Sequence, residues 1–167
     1  ENIMSELIKK LINVCEEFGS HPDWVQGGGG NLSVKLDDQI MVIKASGLAF
    51  HDIVDESGFV TLNYRTVRNY YRNLNLQTMK DYEKDSSDFV LTQVVGQSSR
   101  KPSIETGFHA FLGKFVIHTH SVYVNALSCA KEGRRLYENI CKSDFELIWV
   151  PYANPGFNLT LAVAKVV

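Results

Sequence analysis

No apolar run in this 167-residue chain reaches the ~18–20 residues that a membrane-spanning helix needs. Neither charge dominates: the formal net charge is −2, so there is no basic face of the kind nucleic acid requires. Cysteine is scarce. Cys15, Cys129 and Cys141 stand far apart with no CxxC pair, which suits reduced thiols in a cytoplasmic protein and excludes a disulfide framework. The opening "ENIMSELIKKLINVCEEFG" carries charges throughout, unlike a secretory leader. Nucleic acid and membranes are therefore not expected as partners. What the chain does have is a 44% hydrophobic fraction, enough for one globular core. It also lacks an initiator Met and stops on the apolar "LAVAKVV". The expectation is a single domain over residues 1–167, truncated at its C-terminus.

Hydrophobic spacing predicts a helix over residues 4–18, where Met4, Leu7, Ile8, Leu11, Ile12 and Cys15 recur at helical intervals. "NLSVKL" and "QIMVIKAS" predict a hairpin around "DD", and "GFVTLNY" a further strand. "RTVRNYYRNL" reads as helix, and the polar stretch from Gln77 to Lys101 as loop or irregular surface helix. "SIETGFHAFLG" reads as a helix capped from Ser103, and "KFVIHTHSV" as an apolar strand. "YVNALSCAKEG" predicts a helix ending at Gly133, "FELIWVPY" a strand, and "NLTLAVAKVV" a last helix after the turn "ANPGF". Short strands mixed with helices predict a layered α/β domain.

Four features could carry chemistry. His118 and His120 stand two apart in an apolar strand, so both side chains face one side, as in metal-binding His-x-His pairs. The alternative is a pair of polar residues on an exposed face. Glu105 lies shortly before that strand, where a carboxylate can hold a divalent cation or act as a general base. It could instead simply favour the helix dipole. His109, four residues later, is either a third ligand or a structural hydrogen-bonder. Lys44, Ser46 and Gly47 in "IKASG", and Gly30 and Asn31 ending "GGGGN", can bind phosphate through charge, hydroxyls and main-chain N–H groups. An ordinary turn and a flexible hinge are the competing readings.

In order along the chain, "GGGGNLSVK", "IKASG", "PSIETGFHAFL", "VIHTHS" and "VPYANPGF" resemble the class II aldolase/adducin family. The spelling "GGGNLSVK" and the short interval between "SIET" and "HTH" are most similar to the aldolase domain of bifunctional rhamnulose-1-phosphate aldolase/short-chain dehydrogenase proteins. The resemblance implies a three-layer α/β/α domain around a mixed, largely antiparallel sheet. It implies a homo-oligomer, usually a tetramer, with active sites near subunit interfaces. It implies a zinc-dependent lyase that cleaves a ketose phosphate, with another divalent metal as a possible substitute. On this reading Asn31, Ser46, Gly47 and Ser103 take phosphate-contacting positions. His118 and His120 become two zinc ligands, and Glu105 the acid/base. A pentulose-phosphate 4-epimerase and a non-catalytic adducin-like binding module are the alternatives. The chain departs from the family pattern at Gly28 and Gly29, where a hydroxyl residue is common, and at Ile104, where a second serine is. Nor does a histidine follow His120, so the family's third metal histidine is past the end or lost.

Overall fold

The computed structural model describes residues 3–140 and 146–167. Helix α1 (Ile3–Gly19) leads through the glycine run into strand β1 (Asn31–Lys35), which turns back as β2 (Ile40–Lys44). Asp37 makes that turn, its carboxylate accepting bonds from the N–H groups of Gln39 and Ile40, each 2.7 Å long. Strand β3 (Phe59–Asn63) follows, then helices α2 (Tyr64–Arg72), α3 (Tyr82–Thr92) and α4 (Thr106–Phe111). Strand β4 (Phe115–His118) is followed by α5 (Val122–Ser128), α6 (Gly133–Ile140) and α7 (Phe157–Ala164). The sheet order is β3-β2-β1-β4, and every pairing among the described strands is antiparallel.

Strand alternation builds the layers. Leu32, Val34, Val42 and Phe59 point to one face and pack with Leu7, Leu11 and Cys15 of α1. Met41, Ile43 and Leu62 point to the other and pack with Val67, Tyr71, Val90, Ala110 and Phe157 of α2, α3, α4 and α7. The result is the expected α/β/α sandwich, with an antiparallel rather than mixed sheet among the described strands.

On β1 the face toward α4 is polar. Asn31, Ser33 and Lys35 all lie beneath that helix, and each engages a different part of it. Asn31 meets Ser103 and Glu105 before its start, Ser33 meets His109 in its middle, and Lys35 Nζ donates to the carbonyls of Leu112 and Gly113 at its end. Four strand steps from 31 to 35 cover about 13 Å against about 9 Å for the six residues of α4, so the two outer contacts fall just before and just past the helix. A cation at the C-terminal carbonyls and a carboxylate at the opposite end both suit the helix dipole.

Three sequence expectations change. The polar stretch contains a regular helix, α3, capped by the Asp81 side chain. Gly133 begins α6 rather than ending its predecessor, so "YVNALSCAKEG" closes as α5 at Ser128. "FELIWVPY" forms no strand over residues 146–152, while its first residue lies outside the described part. Cys15 is buried and Cys129 exposed, both as free thiols; Cys141 is outside the described residues. No described helix is long and apolar enough to cross a membrane.

Leu32 is fully buried between the polar neighbours Asn31 and Ser33, on the opposite sheet face. Leu32→Ala should lower unfolding free energy by about 2–5 kcal/mol, read from the urea midpoint at unchanged slope.

Candidate functional site

The glycine run forms one wall of a cavity of about 260 Å³, which Ser46–Gly47, Ser103–Glu105, His120 and Pro155 complete. Segments more than seventy residues apart in sequence thus meet at one end of β1. The turn after β2 is tied to the segment before α4: Ala45 bridges to Pro102, and Ser46 N–H donates to the Lys101 carbonyl at 2.9 Å. Ser103 Oγ accepts from Glu105 N–H at 3.2 Å, but it does not cap the helix as expected: α4 begins at Thr106, with Glu105 in the N-cap position and no side-chain cap.

Two glycines have steric reasons. Gly30 has φ +74°, and a Cβ there would lie 2.8 Å from the His118 carbonyl oxygen. A Cβ on Gly29 would lie 2.6 Å from Nδ1 of His120. The run therefore admits the histidine segment as well as leaving main-chain N–H groups at the cavity wall. His120 is held from below by its own backbone, donating to the Trp24 carbonyl at 2.9 Å and accepting from Gln26 Nε2 at 3.2 Å.

Strand β4 stops at His118, so His120 lies past its end. The two rings nevertheless share a side, with centroids 4.9 Å apart at an interplanar angle of 65°. His118 Nδ1 lies 3.0 Å from Glu105 Oε2. The two atoms are not aligned as a hydrogen bond, and this buried nitrogen has no hydrogen-bond partner. An unpartnered buried nitrogen beside a carboxylate, with a second imidazole adjacent, is a donor set that suits a divalent cation with coordination positions left open. Among the described residues no group of three or more His, Cys, Asp or Glu side chains is placed to hold a metal ion, so the expected three-residue set of His118, His120 and Glu105 is not assembled as a metal site.

Burial pushes the Glu105 carboxyl up, but the His118 imidazole and the Asn31 amide beside it outweigh that and hold it below the usual range. It is therefore ionised at neutral pH. Burial lowers His120, helped by His118 and opposed by Glu105.

Asn31 is only 3% exposed, and its side chain is fully engaged. Nδ2 donates to Glu105 Oε2 at 2.7 Å and to Ser103 Oγ at 3.1 Å, while Oδ1 meets His109 Nε2. Its amide thus faces protein groups, and a phosphate at the cavity would meet its surroundings rather than a free Asn31 amide. Lys44 lines the cavity but turns its ammonium to the carbonyls of Leu48 and Ala45, over the Phe50 ring. Burial lowers its pKa against the pull of Cys15, Asp52 and Glu105, and its charge braces the Ser46–Gly47 turn.

His109 is wholly buried, with Nδ1 2.8 Å from Ser33 Oγ and Nε2 on Asn31. Both ring nitrogens are occupied, so the structural alternative weighed for it is the one the geometry supports. Burial, reinforced by His118, pushes its pKa down to about 3. Ser33 had not been singled out. The signal was its place two residues after Asn31, on the same strand face.

The chain matches the family model for the class II aldolase and adducin N-terminal domain over residues 9–167. It belongs to the class II aldolase/adducin family. An uncharacterized oxidoreductase of Bacillus subtilis is 30% identical over 95% of this chain and 23% of its own length. A methylthioribulose-1-phosphate dehydratase of Serratia proteamaculans is 27% identical over 74% of this chain and 50% of its own length. The chain therefore spans between a quarter and a half of these relatives. Among solved structures, the N-terminal class II aldolase domain of a conserved Thermoplasma acidophilum protein superposes with a TM-score of 0.77 at 26% identity, covering 95% of this chain and 74% of that one. An L-fuculose 1-phosphate aldolase superposes at 0.50, with 26% identity over 75% of this chain and 49% of its own.

Two outcomes follow from this geometry. Gly29→Ala should displace the His120 ring, moving its NMR resonances, while melting shifts by no more than a few degrees, about 1 kcal/mol. His109, with a folded pKa near 3 against the usual 6.5, makes the fold less stable in acid. The unfolded state alone takes up its proton as pH falls from 6.5 toward 3, costing up to about 1.4 kcal/mol per pH unit. His109→Gln should flatten that part of the stability profile, measured by urea titration at several pH values.

Proposed function

We propose that this chain carries a metal-dependent aldehyde-lyase centre that reversibly cleaves a ketose phosphate to dihydroxyacetone phosphate and an aldehyde. The observation that supports this best is the meeting of Glu105 with both the glycine-lined cavity and the His118–His120 pair. A carboxylate kept ionised between an anion-sized cavity and two imidazoles is arranged for proton transfer on an anchored, charged substrate.

The phosphate would rest on main-chain N–H groups of Gly28, Gly30 and Gly47 and on the hydroxyls of Ser46 and Ser103, the Gly29 N–H being donated to the Gln26 carbonyl. Lys44 adds positive charge behind that wall. Anchoring one end fixes the reacting carbons near Glu105, the entropic part of catalysis. His118, His120 and Glu105 would hold the cation, zinc by the chemistry of its donors. When bound, it supplies Lewis-acid stabilisation of the negative charge that develops on the substrate. When the C–C bond breaks, the hydroxyl on the departing aldehyde carbon gives up its proton and the enediolate carbon of the nascent dihydroxyacetone phosphate gains one; Glu105, ionised at rest, takes up a proton and delivers it to that carbon, and removes it in the reverse direction.

The dehydratase relative favours a second reading, loss of water from a ketose 1-phosphate. There Glu105 would take a proton from the carbon beside the carbonyl, and the β C–O bond would break instead of a C–C bond. The likeness to the Bacillus oxidoreductase, of which this chain matches 23%, supports a larger protein with a dehydrogenase part. A cytoplasmic homo-oligomer with sites near subunit boundaries completes the proposal.

The test is incubation of zinc-loaded protein with ketose 1-phosphates, assaying dihydroxyacetone phosphate and, separately, the dehydrated dicarbonyl. Release of dihydroxyacetone phosphate is expected. Dehydration alone favours the second reading, epimer formation alone the epimerase, and no turnover the binding module. Glu105→Gln should slow cleavage about 10²–10⁴-fold while phosphate affinity changes little. Cleavage at the wild-type rate would remove Glu105 from the reaction.

A further inference from the structure

We infer that Ser33 and His109 form a buried positioning relay that fixes the direction of the Asn31 side-chain amide and, through it, the carboxylate of Glu105. The functional consequence rests on the reading of Glu105 above; the hydrogen-bond direction does not.

A side-chain amide has nearly the same shape when turned over, so packing alone does not choose between its two orientations. Here the choice matters. With Nδ2 toward Glu105, the amide donates to Oε2 at 2.7 Å and to Ser103 at 3.1 Å. Turned over, its oxygen would face an ionised carboxylate, two acceptors at hydrogen-bond distance in a half-buried place. Something must make the first orientation the cheaper one at the other end, and that end touches His109 Nε2.

His109 can decide it only if Nε2 carries the proton. Ser33 accommodates that tautomer, because a hydroxyl can donate to a ring nitrogen as readily as accept from one, and the ionised Glu105 at the far end selects the direction. The Ser33 hydroxyl lies 2.8 Å from Nδ1, at a side chain 1% exposed, and can donate to that nitrogen. Nδ1 is then the acceptor of a neutral ring and Nε2 the donor. Every bond then runs one way, from Ser33 O–H to His109 Nδ1, from His109 Nε2–H to Asn31 Oδ1, and from Asn31 Nδ2–H to Glu105 Oε2. The opposite tautomer would set a ring lone pair against Oδ1 or force the amide over. Burial, which keeps the ring neutral, holds the arrangement across the physiological range. The ring is fixed by stacking on Phe108, with centroids 4.7 Å apart. Neither Ser33 nor His109 lines the cavity, so both act through Asn31 and neither touches substrate.

His109→Gln keeps an N–H donor near the place of Nε2, whereas His109→Leu removes it. For cleavage of a ketose 1-phosphate, His109→Leu should lower kcat about 10–100-fold, the usual effect of losing an orienting partner, with KM within about threefold. His109→Gln should recover most of that loss at a similar melting temperature. Equal kcat in His109→Leu and wild type, or no recovery in His109→Gln when both are folded, overturns the relay. A second measurement needs no turnover and no variant. Long-range ¹H–¹⁵N NMR of the wild-type protein should show His109 as the neutral Nε2–H tautomer from pH 5 to 8. A dominant Nδ1–H or a charged ring overturns the inference. Wild-type protein that cleaves no ketose phosphate overturns the proposed reaction, while the tautomer then decides the relay by itself.

Discussion

The side chain of Asn31 is the joint on which the site depends. It binds the first residue of β1 to the two residues that lead into α4, across 72 and 74 positions of sequence. Leaving a buried amide or its partner unpaired costs about 1–3 kcal/mol. A half-made joint is therefore worse than a complete one or none, and this makes the placement of Ser103 and Glu105 relative to the sheet cooperative. The glycine run enters the same joint from the other side. Gly30 immediately precedes Asn31, and its missing side chain lets the His118 carbonyl approach. Since Asn31 pairs with His118 across the β1–β4 ladder, one residue sets the carboxylate and the first imidazole in a common frame.

The rest of β1 extends that frame. A strand buried on both faces usually reads as continuous apolar sequence. This one alternates: its polar residues Asn31, Ser33 and Lys35 meet the segment before the six-residue α4, its middle and the residues just past its end. The Lys35 contact shows the cost of such an arrangement. Burial, with Arg68 nearby, brings its pKa down to about 8, so the ammonium is retained by carbonyls and by the Tyr64 ring rather than by a carboxylate.

Much of this was legible before any coordinates. The amphipathic run of α1, the "DD" hairpin and the β3–α2 succession follow from local periodicity and turn chemistry, which tertiary packing then reinforced. The helix α3 was not, because its apolar positions are few: among its buried residues one is Ser86 and only Val90 is aliphatic. Of the site, Gly30, Asn31, Ser46, Gly47 and Ser103 are expected at one anion pocket through the family resemblance and Glu105 and His120 at a metal, and the structure places all of these on one cavity. Direction was not legible. Whether the Lys44 ammonium turns to the cavity or to Leu48, and whether the Asn31 amide faces a ligand or Glu105, depends on what a distant segment brings alongside. Sequence spacing does not encode that. The spacing of His109 from Glu105 suggests a ligand while a lone helical histidine suggests a hydrogen-bonder, and the contact that decides, Ser33, sits inside a strand where a small hydroxyl residue draws no notice.

Electrostatically, the site keeps its polar groups by unequal means. Asn31, Ser33 and His109 form one chain of bonds that ends on Ser103 and Glu105, with each side chain partnered inside the protein. His118 is not: its Nδ1 is buried and unpartnered, 3.0 Å from a carboxylate that has already accepted a bond from Asn31. A fold that satisfies every neighbouring polar atom and leaves this one open has placed its unpaid desolvation where a cation would offset it. The completed network behind is what allows this. Glu105 Oε2, tethered to Asn31, stands at ion-pair distance, 3.0 Å, from His118 Nδ1, so the network behind the carboxylate fixes its direction relative to that ring.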